Sequence, residues 1–500
     1  MKKISFAVLL AFTSFVAAAR GQDENFRNAF GPLFNGAQPA PPLPFPHVAG
    51  DAIHRWNQIA IDATGLDHTP VAPGDPRIFG EQLGPGRASR AMAIIHIAIF
   101  DTINAINPRY RSYTGVQSTH YPLSQDVAVS QGAHDTLVAL YPSQTASVDA
   151  RLSQELARVR NPVERANGID LGQRVAAAIL AMRQGDGVQI PEPRVGVDYF
   201  PSDLPGHWRQ DPISLIPLAL GAHWGECRPF VLQATNQFPL PAPPAMTSVA
   251  YTTAYNEVKN LGGDGINTPT QRTPEQTFTG IFWGYDGTPS LCAPPRLYNQ
   301  ITVQIADRTR LQPIQFARLL ALVNVAMAEA GMTAWQSKYS HDFWRPVTGI
   351  RESDPGTGPT GLGDGNPDTV GDITFHPLGA PASNLLPGSP NFTPPFPAYP
   401  SGHATFGGAI FQILRLFYGT DNVSFTFVSD EFNGITRDNG GNIRPYMPRS
   451  FSSLSQAEEE NGQSRIYLGI HWSFDKTEGI AQGRNVANYV FDHAFTPLHH

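Results

Sequence analysis

Cysteine is nearly absent from this chain of 500 residues, which has only Cys227 and Cys292, and charge is sparse at 15%. Two thiols exclude a disulfide-dense scaffold. In an oxidising compartment they leave open one disulfide or two buried free thiols, because separation along the chain says nothing about distance in space. Basic charge is also lacking, with 35 Lys and Arg against 42 Asp and Glu and a net charge of -7. That balance excludes nucleic acid as the main partner, although a small anion can still be held locally. Past the N-terminus no uninterrupted apolar run of about twenty residues occurs, so no membrane span is expected. No internal repeat is visible, and strand-like alternation is rare and short.

Hydrophobic residues make up 41% of the chain and its mean hydropathy is -0.22, as in globular proteins. Its length exceeds what one core usually organises, so two packed subdomains or one large body with two cores are expected. The opening Met1, Lys2, Lys3, the apolar run Ile4 to Val16 and the small Ala17 to Ala19 have the order of a cleavable secretory signal. Residues 1–19 are therefore expected to be removed, and the mature protein to be secreted or periplasmic.

Glycine and proline, 46 of each, cluster between helix-period segments. Gln38 to His47 and Gln237 to Thr247 are proline-rich connectors, and the second suggests a seam between an N-terminal helical bundle over 20–240 and a C-terminal one over 241–500. Apolar spacing of three and four predicts helices at about 49–64, 88–106, 124–140, 148–160 and 163–184, then at 248–261, 314–337, 402–418, 454–468 and 475–493. The expected fold is all-α, two helical bundles packed together with long Gly/Pro-rich loops. Ala88 to Ile106 is apolar on almost every side and should be a central helix, with His96 a core histidine and Asp101 buried. Ser353 to Asp372 reads as a long surface loop. Its Asp364, Asp368 and Asp372 leave calcium binding open, but their spacing does not match a calcium loop and solvated carboxylates are the commoner reading.

Three short motifs carry the chemistry. In the first, Lys338 is followed after six residues by Arg345 and Pro346, a spacing of about two helical turns. On one helix this places both cations on one face, an arrangement favoured where an anion lies between them, with Pro346 ending the helix. Pro400, Ser401, Gly402 and His403 form the second, ahead of a strongly helical run. Ser401 is a natural N-cap, Gly402 admits close backbone approach, and the helix start is a seat for an anion within reach of His403. The third is Ser464, Arg465, then His471 and Asp475. His471 is expected to open a new helix, one turn from an Asp475 that accepts its ring N–H and fixes its tautomer. Three cations, a helix-end seat and two histidines complement one oxyanion.

This set, K-x6-RP, then PSGH, then SR-x5-H-x3-D, resembles the signature of the vanadium haloperoxidase and type 2 phosphatidic acid phosphatase (PAP2) superfamily. Phe282 to Asn299, Phe343 to Arg351, Pro394 to Ala409 and Ser464 to Asp475 are similar to the fungal vanadium chloroperoxidase branch. The likeness covers much of 282–475 and little of the first half. It implies a chloroperoxidase-like helical fold and vanadate as cofactor, in a site that phosphate can also occupy. By the same resemblance Lys338, Arg345, Ser401, Gly402 and Arg465 hold the oxygens, His471 is the axial vanadium ligand, and Asp286 pairs with Arg465. His403 then manages the proton as hydrogen peroxide enters, and Lys338 polarises peroxide for attack by halide.

Two chemistries fit such a pocket. A haloperoxidase would take hydrogen peroxide, a halide and a small organic acceptor, oxidising bromide, and chloride as a harder second case, to hypohalous acid. A secreted PAP2-type acid phosphatase would act through a phosphohistidine at His471, with His403 protonating the leaving alcohol. Trp335 and Phe396 resemble the aromatic pair of the halide region in fungal chloroperoxidases and favour the first. A catalytically silent secreted binder is a third class, disfavoured because every signature position is kept. His341, between Lys338 and Arg345, is no part of the signature, and the oligomeric state is not legible.

Overall fold

The computed structural model describes residues 25–34, 36, 50–72 and 74–498. The expected signal at 1–19 and the connector Gln38 to His47 lie outside the described residues.

The described chain is mostly helical. Its first half contains α1 (Ala52–Asp67), α2 (Gly84–Ile106), α3 (Gln125–Leu140), α4 (Thr145–Ala157) and α5 (Pro162–Met182). Short polar residues start them: Asp51, Ser124 and Asn161 each accept backbone N–H groups in the first turn of α1, α3 and α5. The second half contains α6 (Val249–Leu261), α7 (Pro274–Phe282), α8 (Pro294–Ala306), α9 (Pro313–His341), α10 (Pro346–Arg351), α11 (Gly402–Tyr418), α12 (Leu454–Tyr467) and α13 (Ser473–His493). Between α11 and α12, β1 (Phe425–Asn433) and β2 (Tyr446–Phe451) pair antiparallel, with Phe425 opposite Phe451 and an irregularity between Val428 and Asn433.

Periodicity did not reveal α7, α8 or α10. Each starts on a proline inside a loop-like stretch, and proline suits the first helical position, so the residue that looked like a breaker is the initiator. The same reason corrects the first motif. Helix α9 ends at His341 with Asp342 left-handed at φ 48°, and Arg345 is the N-cap of α10. Lys338 and Arg345 therefore do not share a face of one helix, and Pro346 starts a helix instead of ending one.

Helices α2 and α9 pack along each other at the centre, and α11 packs on both α9 and α13. By length and composition α2 and α9 could each cross a membrane, but 94% and 100% of their most apolar windows are buried inside the protein. They are core helices. One apolar cluster joins Ile97 and Phe100 of α2 to Leu320 and Val323 of α9 and Val486 of α13, and so includes residues on both sides of 237–247, a stretch without helix or strand. A smaller cluster of Tyr251, Tyr255, Phe343, Trp344 and Trp472 backs the three motifs.

His96 is a fully buried core histidine, bonded at Nδ1 to the Met92 carbonyl and at Nε2 to Asn57, both at 2.7 Å. Asp101 is buried and accepts the backbone N–H groups of Tyr113 and Thr114. Cys227 and Cys292 are both free and buried. The stretch 353–372 has neither helix nor strand, and Asp364 is spent inside it on Asn366 N–H and Thr369 Oγ1. Among the described residues no group of three or more His, Cys, Asp or Glu is arranged to hold a metal ion.

Candidate active site

Three chain reversals bring the motifs together. Lys338 lies in the last turn of α9 and Arg345 at the cap of α10. Ser401 caps α11, its Oγ accepting the Ala404 N–H at 3.4 Å, while its own N–H donates to the Asp475 carbonyl at 3.0 Å. Gly469 turns the chain out of α12 at φ +73°, a conformation costly for residues with a side chain, and so delivers His471 back toward α11. His471 lies in this link, two residues before α13 starts at Ser473, so it does not open the helix as expected.

The side chains that converge are deeply buried: Lys338 and Ser401 are 0% exposed, Arg345 and Arg465 1%, His471 2% and His403 6%. His471 Nδ1 lies 2.8 Å from Asp475 Oδ2, and Arg345 Nη1 donates to His471 Nε2 at 2.8 Å. A guanidinium only donates, so the ring hydrogen is on Nδ1 and Nε2 carries the lone pair. His403 Nε2 donates to the Gly284 carbonyl at 2.6 Å, which leaves the lone pair of the neutral ring on Nδ1. Arg465 Nη2 donates to Asp286 Oδ1 at 2.5 Å.

Lys338 behaves differently from the other cations. Its ammonium donates to three backbone carbonyls, Pro397 at 2.9 Å, Ala398 at 3.0 Å and Pro400, and so braces the turn that presents Ser401 and Gly402. Arg345 shares that task through Nε to the Phe396 carbonyl and Nη1 to the Ile470 carbonyl, both at 2.8 Å. Three guanidinium nitrogens nonetheless lack a partner among the described residues although buried, namely Arg345 Nη2 and Arg465 Nε and Nη1. Buried donors are nearly always satisfied, so this trio fits an oxyanion that supplies several acceptors at once.

Electrostatics point the same way. Burial, reinforced by Arg345, holds the Lys338 ammonium well below its ordinary range. Burial brings the Arg345 guanidinium down to about 9, with Arg465 adding to the effect. His403 and His471 are both pushed well below the usual histidine value, first by burial, then by Arg465 for His403 and by Arg345 and Lys338 for His471. Burial lifts Asp475 to about 7. Mutual repulsion among the buried cations is relieved by an anionic guest, which favours their charged forms.

The motifs form the floor of a pocket of about 710 Å³, counting its open mouth. Gly402, His403, Arg465, His471 and Asp286 line it, whereas Lys338, Arg345 and Ser401 stand immediately behind. Trp335 and Phe396 line it as well, ring to ring at 4.8 Å, and Lys338 Nζ lies 5.5 Å and 5.0 Å from their ring centres. His341 turns away against Tyr399, at 5.1 Å between rings, and does not line the pocket.

Sequence reasoning missed the support of His403. Tyr298 Oη and Asn461 Nδ2 both donate to the His403 carbonyl at 2.9 Å, and the Gly284 carbonyl holds its ring. Tyr298 sits in α8, which periodicity did not find, and a contact made to a backbone carbonyl has no sequence signature. The apolar wall contributed by Phe30, Leu83 and residues 216–220 was equally invisible, because those residues look like ordinary core.

Residues 318–500 match the family described as the VCPO second helical-bundle domain. The chain is 31% identical to the vanadium chloroperoxidase of Curvularia inaequalis, over 84% of this chain and 78% of that protein. Among solved structures it is similar to the first bacterial vanadium-dependent iodoperoxidase, with a TM-score of 0.67, 23% identity and coverage of 88% of this chain and 97% of that one. The apo form of a bacterial vanadium-dependent chloroperoxidase aligns with a TM-score of 0.61, 14% identity and coverage of 84% and 96%. These last two likenesses concern the fold.

Proposed function

Because the chain belongs to the vanadium chloroperoxidase family, we propose that it oxidises bromide, and chloride with more difficulty, by hydrogen peroxide at the floor of this pocket and passes hypohalous acid to an organic acceptor. Vanadate, when bound, supplies a Lewis-acidic centre that activates peroxide without changing its own oxidation state. Arg345, Arg465, Ser401 and Gly402 would hold its oxygens and His471 would offer Nε2 as ligand, whereas Lys338, whose three N–H groups are spent on backbone carbonyls, would act on it by charge alone.

The chain's own groups prepare the rest. Asp475 keeps the ring hydrogen of His471 on Nδ1, so that Nε2 faces Arg345 as a lone pair. A guest on Nε2 must displace the Arg345 bond, which frees Nη1 to join Nη2 in holding that guest. His403, neutral and held at Nε2 by Gly284, accepts a proton at Nδ1. Lys338 adds a fixed positive potential and keeps the Ser401 turn in place. Trp335 and Phe396 exclude water beside these cations, strengthening the field on a halide. The larger, more weakly hydrated bromide gives up its water more readily than chloride, which supports the order given above. Export is supported by the charged, apolar and small-residue order of residues 1–19.

The observation that carries this reading is the trio of buried, unpartnered guanidinium nitrogens beside His471 Nε2. Its test is bromination of an activated diketone by the purified chain with peroxide, with and without vanadate, beside hydrolysis of an aryl phosphate. Bromination should require vanadate, and His471→Ala should lower it at least a thousandfold, on the order of 4 kcal/mol in the barrier. Phosphate hydrolysis with no vanadate-dependent bromination would hand the site to the phosphatase chemistry.

A further inference from the structure

Peroxide and halide react at the cationic floor, yet the pocket continues past that floor along a wall that is apolar. Phe30, Leu83, Ile216, Leu218, Leu220 and Phe392 build that wall from four separate stretches of chain. Phe30 meets Phe392 edge-on, 6.2 Å between ring centres at 89°. Among the described residues, and apart from those of the floor, the one titratable group lining it is His68, whose ring is spent on the Thr64 carbonyl at 2.9 Å and the Gly84 N–H at 3.0 Å. Trp335 offers no donor either, since its Nε1–H is given to the Leu220 carbonyl at 3.0 Å.

We propose that this wall binds the halogen acceptor itself, as a neutral, largely apolar ring compound, so that halogen is delivered inside the pocket. The proposal rests on the haloperoxidase reading and names the substrate class of that site. A cationic acceptor would be repelled by Arg465 on the floor and by Lys338 and Arg345 behind it. An anionic one would lose its hydration against Leu218, Leu220 and Phe392, which return no hydrogen bond. A neutral ring gains from the apolar wall and stands directly over the place where halide is oxidised.

The chemistry closes without a further reagent. Halide, hydrogen peroxide and one proton give hypohalous acid and water. An electron pair of the ring then attacks the halogen, the halogen–oxygen bond breaks toward oxygen, and the ring proton joins the released hydroxide as water.

Two measurements test this, with 2-naphthol and its 6-sulfonate as probes. Tryptophan fluorescence of the full chain, with its oxyanion floor saturated by inorganic phosphate so that the cations are not free to capture a sulfonate, should show saturable 2-naphthol binding, because Trp335 lines the pocket, and at least tenfold weaker binding of the sulfonate. Leu218→Asp should weaken 2-naphthol binding at least tenfold. In competition between the two probes, the loaded enzyme should favour 2-naphthol at least fivefold more than reagent hypobromous acid does, a comparison that needs no variant. Absence of saturable binding, or a product ratio equal to that of the reagent, overturns the acceptor site. Bromide-dependent consumption of peroxide, followed with no organic acceptor present, reads the parent activity separately. If it persists while the ratio equals the reagent's, only the acceptor site fails; if it is absent, the acceptor role falls together with the haloperoxidase reading.

Discussion

Arg465 divides its guanidinium between two duties: Nη2 is committed to Asp286, while Nε and Nη1 are buried without a protein acceptor. A lysine keeps one positive charge but loses the planar fork, so it can serve Asp286 or the guest, not both. Arg465→Lys should therefore raise the vanadate dissociation constant by about ten- to a hundredfold, or ~1.4 to 2.7 kcal/mol, with helix content unchanged. Equilibrium dialysis of vanadate, with far-UV circular dichroism as the fold control, measures both. A dissociation constant within about twofold of the parent would show that the free nitrogens hold nothing. At this scale the sequence was most legible where a residue type has few other uses. Buried Arg345, Arg465 and His471 stand out by chemistry and spacing. Lys338 was legible as a member of the site but not in its posture, because nothing local says that its three N–H groups close on the carbonyls of Pro397, Ala398 and Pro400.

Two helices, α11 and α13, set the distance between the Ser401 turn and the His471–Asp475 pair, and they touch through small residues. A Cβ on Gly483 would stand 2.1 Å from the Thr405 carbonyl oxygen, and one on Gly408 2.5 Å from that of Ile480. No side chain fits at either position, so the helices must move apart or bend to admit one. Gly483→Ala is expected to cost about 1 to 3 kcal/mol of stability by overpacking. It should also weaken vanadate binding several-fold, because the separation opens the bond from Ser401 N–H to the Asp475 carbonyl. Thermal unfolding and the same dialysis check the two effects, and a stable variant with unchanged affinity would mean that the helix spacing does not set the site. Long helices with apolar periodicity, such as α2, α9 and α11, were legible because burial of one face or of all faces imposes the 3.6-residue pattern. The proline-initiated α7, α8 and α10 were not, because they sit in loop-like sequence and pack against neighbours from distant segments, and neither was the β1–β2 pair, whose ladder joins separate stretches of chain.

Across the whole molecule, the first half reaches the site through packing and through one buried acid. Glu329 of α9 is fully buried, and its Oε1 accepts the backbone N–H groups of Phe230 at 2.6 Å, Val231, and Leu232 at 3.2 Å, tying that loop to the central helix. Nothing in the sequence marks this, because one glutamate in a long apolar helix has no signature until the loop it serves is in place. Burial lifts its carboxyl from an ordinary 4.5 to about 7, the three backbone donors offsetting only part of the cost. The sign follows from linkage. Between pH 4.5 and 7 the folded chain retains a proton that the unfolded chain has released, so this group's contribution is complete below about 4.5 and is lost as pH rises through 7. The loss amounts to roughly 3 kcal/mol for a shift of this size. Urea unfolding of the vanadate-free chain at about pH 5 and pH 8 should show that decline in the parent and a markedly flatter response in Glu329→Gln, which has no proton to lose. Equal declines in both proteins would mean that Glu329 is ionised in the fold throughout this range, held by its three backbone donors despite burial.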